Sequence, residues 1–147
     1  MKKQGLLRCE KGAQLVEFAL VLPLLLLVVL AIAEFGFMFQ RYEVLTNAAR
    51  EGARIAVLPG YTDADVQQRV NDYLDAGRVP AYGRTAAVVV NDPVLLPGGT
   101  TVPTKRVTVT FFHNYMFIPG IGGWFGSSYT SQQLSAVSAM RVEVPGS

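Results

Sequence analysis

The strongest pattern along the chain is the apolar run from Phe18 to Phe39, which a single charged residue, Glu34, interrupts. About 20 apolar residues are what a helix needs to cross a hydrocarbon layer roughly 30 Å thick. No other stretch of the sequence meets that requirement. Beyond Phe39 the pattern turns amphipathic without a break. Ala48, Gly52 and Ala56 recur at four-residue spacing with Ala49 and Ala53 beside them, and Arg50, Glu51 and Arg54 take the remaining surface. The first Gly/Pro cluster is Pro59-Gly60, so the spacing predicts one helix of about 45 residues, near 70 Å long. Small residues at this spacing let another backbone approach closely. That neighbour is either the chain's own sheet or a sister helix, and one helix can serve both on two faces.

Within the apolar run, Pro23 removes one backbone donor and predicts a bend that membrane helices tolerate. The alternative is a point where the helix loosens on leaving lipid for a packed assembly. Glu17 precedes the run, and Glu34 lies some 25 Å further along the axis. Placement at the two faces of the hydrocarbon layer accounts for both carboxylates.

Downstream, Thr62-Asp63-Ala64-Asp65 fits a capping box, and Val66, Val70, Tyr73 and Leu74 share one face. This predicts a short helix from Asp63 to Ala76 with Gly77 as its terminator. From Arg84 onward the period changes to two. Thr85–Asn91, Lys105–Phe111 and Leu134–Val144 read as strands, and Leu96-Pro97-Gly98-Gly99 reads as a turn. Val107, Val109 and Phe111 should face inward, as should Leu134, Ala136, Met140, Val142 and Val144. The fold class is α+β: a long N-terminal transmembrane helix continues into a small external domain with a second helix and a three-stranded antiparallel sheet. Such a sheet needs a helix across one face, and the long helix can supply it. The organisation is a basic leader over 1–12, the long helix over 13–60 and the external domain over 61–147. Between the last two strands, residues 114–131 are rich in Gly and aromatics. Tyr115, Met116, Phe117, Ile118, Trp124 and Phe125 either touch a partner or lipid headgroups, or tuck under the sheet.

Charge sharpens this picture. Of the formal +2, Lys2, Lys3, Arg8 and Lys11 against Glu10 contribute +3 ahead of Gly12, which leaves −1 for the rest. The basic character belongs to the leader, which excludes a nucleic-acid surface. It orients the first membrane helix with its N-terminus cytoplasmic and the C-terminal domain outside. Cys9 is the only cysteine, so no intrachain disulfide forms. Its position ahead of the apolar run argues against lipidation.

Candidate chemistry is sparse. His113 is the only histidine and stands at a strand end with no nucleophile–base partner in the sequence pattern. There is no P-loop, dinucleotide fingerprint, Cys/His cluster or nucleophile elbow. Asp63, Asp65, Asp72 and Asp75 lack the Gly and Glu an EF-hand loop requires and read as a solvated helix face. The expectation is no enzyme, cofactor, metal or small-molecule substrate.

Gly12 and Ala13 form a small-residue junction just ahead of Glu17. The string G-AQLVEF, the apolar run, EFG and TNAAREGAR resembles the TadE family of pilin-like proteins from Tad/Flp pilus systems. The likeness is strong from Gly12 to Ala56. It is weaker in Lys105–Phe112 and in Leu134–Glu143, with its A-M-R-x-E ending. The resemblance implies a type IV pilin-like fold and cleavage by a prepilin peptidase between Gly12 and Ala13, which would make Glu17 the fifth mature residue. It implies pairing of Glu17 with the α-amine of a neighbouring pilin-like subunit, insertion in the bacterial inner membrane, and a role in pilus assembly, adhesion or secretion. Two rival expectations remain. One is an uncleaved single-pass protein with an external binding domain. The other is a secreted domain released after the Ala31-Ile32-Ala33 site.

Overall fold

A computed structural model of the chain describes residues 6–122, 126 and 130–142. Helix α1 spans Leu6–Ala56 without interruption, 51 residues with Pro23 inside it. It starts within the expected leader, so residues 6–12 continue the helix where no folded role was anticipated. Within α1 one segment is long and apolar enough to cross a membrane, with a mean hydropathy of 2.9, and none of its apolar window is buried against the rest of the chain.

Helix α2 spans Asp63–Ala76. Its capping box forms as the sequence predicts: the Asp65 amide donates to Thr62 Oγ1, and the Thr62 amide donates to Asp65 Oδ2 at 2.7 Å. Val66, Val70 and Leu74 are buried, whereas Tyr73 at the edge of that face is exposed. At the far end Gly77 has an ordinary φ of −79°, and the left-handed residue is Arg78. Gly77 is required for a different reason. A Cβ there would collide with the Val44 side chain, so its hydrogen lets α2 end against α1.

The sheet has strand order β1-β4-β5 and is antiparallel, with β1 at Val88–Asn91, β4 at Thr104–Asn114 and β5 at Ser131–Arg141. The first strand is shorter than the Thr85–Asn91 expected. Arg84 pairs with Phe111, but Val88 pairs with Thr108, so one extra residue has entered between them. That is a bulge, which breaks the ladder and bends the strand. The Gly/Pro turn after β1 carries its own two-stranded ribbon, β2 at Val94–Leu95 and β3 at Thr101–Val102, not foreseen from sequence. Gly98 and Gly99 at its tip both have positive φ, a conformation glycine adopts without a Cβ clash. A short helix α3, Ile118–Gly122, follows β4.

Alternation places Val107, Val109 and Phe111 of β4 and Leu134 and Ala136 of β5 on one buried face. Helix α1 lies across that face and α2 flanks it. The fully buried core members Phe111, Leu45 and Leu74 each contribute about 1.5–3 kcal/mol by leaving water. Val144, Trp124 and Phe125 lie outside the described residues.

Candidate functional site

The upper half of α1 positions everything of interest. Counting back from Gly52 by alternating steps of four and three gives Ala48, Leu45, Arg41, Met38 and Glu34. Residues at this spacing share one helix stripe, and here the stripe faces the sheet.

At its distal end the stripe is packed as tightly as its small residues allow. Ala48, Ala49, Ala53 and Ala56 are buried. A Cβ on Gly52 would lie 2.7 Å from Val70 Cγ2 and 3.2 Å from Val107 Cγ1. Of the two neighbours open to these five residues, the structure takes the chain's own sheet and α2. A sister helix would have to use another face. Glu51, beside the stripe, accepts from both Arg54 and Arg69, which ties α1 to α2. Hydrogen bonds from these two guanidinium groups hold its carboxyl down at about 2.

At the proximal end the stripe carries two charges. Glu34 is 2 % exposed, deeper than placement at an interface explains. Its carboxylate accepts the Met116 amide at 2.9 Å and the Phe117 amide at 2.8 Å. His113 Nε2 lies 3.4 Å from Glu34 Oε1, and Arg41 Nη1 lies 2.6 Å from His113 Nδ1. A guanidinium only donates, so Nδ1 must carry the lone pair and the proton sits on Nε2, directed at Glu34. The histidine is therefore a neutral bridge between a cation and an anion. Burial first, then the Arg41 charge, holds the imidazole below its usual range against the pull of Glu34. Tyr115 meets its ring edge-on at 5.4 Å, and Arg41 also stands over the Phe111 face. No buried side-chain donor or acceptor among the described residues lacks a partner.

This cluster has no nucleophile, and among the described residues no three His, Cys, Asp or Glu side chains converge as metal ligands do. Two of the four acidic residues of α2 have structural work: Asp65 caps the helix and Asp75 pairs with Arg84 at 2.8 Å. What the cluster can do is fix the loop after β4 to the side of α1.

The processing and assembly residues stand elsewhere. Gly12, Ala13 and Glu17 are exposed on α1, and a Cβ on Gly12 would meet nothing within 4 Å. Glu17 and Glu34 are not brought together. The sequence reading passed over Glu34 and Arg41 as partners of His113. Their shared stripe with Ala48 and Gly52 was the signal that points to them.

The deciding observation is one of sequence laid over this geometry. Residues 12–54 match the family model of TadE-like protein. The TadE-like segment thus begins at the small-residue junction, takes in Glu17, the apolar run, Glu34 and Arg41, and ends within the packed stripe. The likeness to TadE-like protein is confined to this segment, under a third of the chain. The strands of the head lie outside the matched residues. No curated protein and no solved structure matches the chain.

Proposed function

We propose that the chain is a TadE-like minor pilin or pseudopilin. It is inserted in the bacterial inner membrane, cut between Gly12 and Ala13 by a prepilin peptidase, and takes part in assembling a Tad/Flp-type pilus. What carries this reading is that the TadE-like match covers the junction, Glu17 and the apolar helix as one unit. Two further arguments support it. Gly12 and Ala13 are exposed on α1, so none of the described chain covers the bond. Cleavage there would place a new α-amine about one helical turn from Glu17. A buried carboxylate is strongly unfavourable without a partner, so the amine of an adjacent subunit would set the register of packed helices. The domain outside would be displayed by the leader's positive charge, which favours a cytoplasmic N-terminus.

The N-terminal residue of protein extracted from membranes tests the reading. Ala13 supports it, and Met1 supports the uncleaved anchor with an external binding domain. Glu34 would mean release of a secreted domain, which would sever α1 at the residue that anchors the loop. A Gly12→Ala variant should remain at precursor size.

A further inference from the structure

We infer that Met116 and its neighbours Phe117–Pro119 form a membrane-surface contact, seated on the headgroup layer by the Glu34 carboxylate. The inference rests on membrane insertion of α1 and is independent of processing or pilus assembly.

Length comes first. From Ala13 to Ala33 the helix is apolar apart from Gln14 and Glu17 near its start, and those roughly 21 residues measure about 31 Å. That equals the thickness of the hydrocarbon layer. Glu34, the next residue, is the first fully buried position among the described residues of α1. Burying that carboxylate is costly without partners, and here two backbone amides and the histidine satisfy it. The same bonds remove the Met116 and Phe117 N–H groups from the lipid side, where unsatisfied backbone would be unfavourable.

The hydrogen bonds also fix the loop's height. Because its amide binds Glu34, Met116 stands at the boundary where the spanning length ends, yet its side chain is 67 % exposed. Just above this level Phe35 and Phe39 on one side of α1, and Phe37 on another, are also exposed. An apolar collar continuous with a spanning helix suits the bilayer interface, where amphipathic and aromatic side chains concentrate. Continuity with the spanning segment selects lipid over a second copy of the chain as the occupant.

The test uses the full chain with Cys9→Ser and single cysteines introduced as Leu25→Cys, Met116→Cys or Gln68→Cys, each carrying an environment-sensitive fluorophore. Reconstitution is into phosphatidylethanolamine/phosphatidylglycerol vesicles bearing nitroxides on headgroups or acyl chains. Headgroup nitroxide should quench the probe at position 116 several-fold more than the one at 68, and acyl nitroxide should quench the one at 25. Equal quenching at 116 and 68, with position 25 quenched, would overturn the seating while leaving insertion intact. Self-quenching at 116 that rises with protein-to-lipid ratio, without nitroxide quenching, would assign the surface to a second copy and also overturn it. Adding Glu34→Ala should lower quenching at 116 to the level at 68, and Glu34→Gln, which retains one acceptor oxygen, should lower it less. Unchanged quenching in both variants would remove Glu34 from the account.

Discussion

Glu34 and His113, 79 residues apart in the chain, meet at 3.4 Å through Oε1 and Nε2. The contact joins Glu34, within the apolar run of α1, to the end of the central strand β4. Arg41, two turns above Glu34 on the same stripe, closes the arrangement from the other side of the imidazole. Two positions on one helix are thereby tied to one residue of the sheet, which sets the rotation of α1 on the core.

Removing the carboxylate should be expensive. Glu34→Ala leaves the part-buried amides of Met116 and Phe117 and the buried His113 N–H without their acceptor. Each orphaned donor costs about 1–3 kcal/mol, so a loss of at least about 2 kcal/mol is expected by denaturant unfolding in micelles. Hydrogen exchange at Met116 and Phe117 should accelerate in step. A variant with wild-type stability and protection would show that water replaces the carboxylate freely.

Much of this architecture was legible in the sequence because its elements are periodic. The span of α2 followed from Thr62 and Asp65 at its start and from Val66, Val70 and Leu74 along one face. The inward face of β4 followed from strict alternation. What stayed hidden depended on contacts between distant residues. The bulge near Thr85 needs the register of β4, and the β2–β3 ribbon is two residues a strand, too short for a pattern. Glu34 looked like a carboxylate placed at an interface, because its partners lie in a loop whose course no local rule fixes. Gly77 does terminate α2, but the constraint on it, the approach of Val44, could not be read from the sequence.

Close approach should also separate two glycines of α1. At Gly52 an added methyl would meet Val70 and Val107, whereas at Gly36 it would meet nothing within 4 Å. Overpacking costs about 1–3 kcal/mol, while replacing a mid-helix glycine by alanine gains up to about 1 kcal/mol in propensity. Gly52→Ala should therefore lower Tm and Gly36→Ala should hold or raise it. Gly52→Ala combined with Val70→Ala should recover part of the steric loss. Equal Tm values for the two single variants would contradict the packing described here.

The ion pairs on Glu51 give the fold an acid limb. Its carboxyl, held at about 2 by Arg54 and Arg69, stabilises the fold fully above the ordinary carboxylate value. That contribution is lost as pH falls from there through about 2. Both arginines are half-exposed, so solvent screening keeps the effect modest and added salt should reduce it. Glu51→Gln should flatten stability between pH 5 and pH 2, with its deficit vanishing near pH 2. A deficit unchanged across that range would mean that packing, not charge, is what the substitution removed.

The histidine offers the sharpest check, because its two neighbours act on it in opposite senses. Burial and the Arg41 charge lower the folded imidazole below its usual value, and Glu34 raises it. A depressed folded value means that the neutral form is the one the fold favours. The contribution is present above the unfolded value near 6.5 and is lost as pH falls through the folded one. Protonating Nδ1 would also point a donor at Arg41, which has only donors to offer. NMR titration of the single histidine should therefore give a midpoint below 6.5, with the proton on Nε2 at neutral pH. Arg41→Ala should raise that midpoint by relieving the repulsion. Glu34→Gln, which keeps the side chain's volume, should lower it further by removing the attractive charge. Shifts of the same sign in both variants would show that solvent exposure, common to both, controls the group, and the bridge between helix and strand would have to be redrawn.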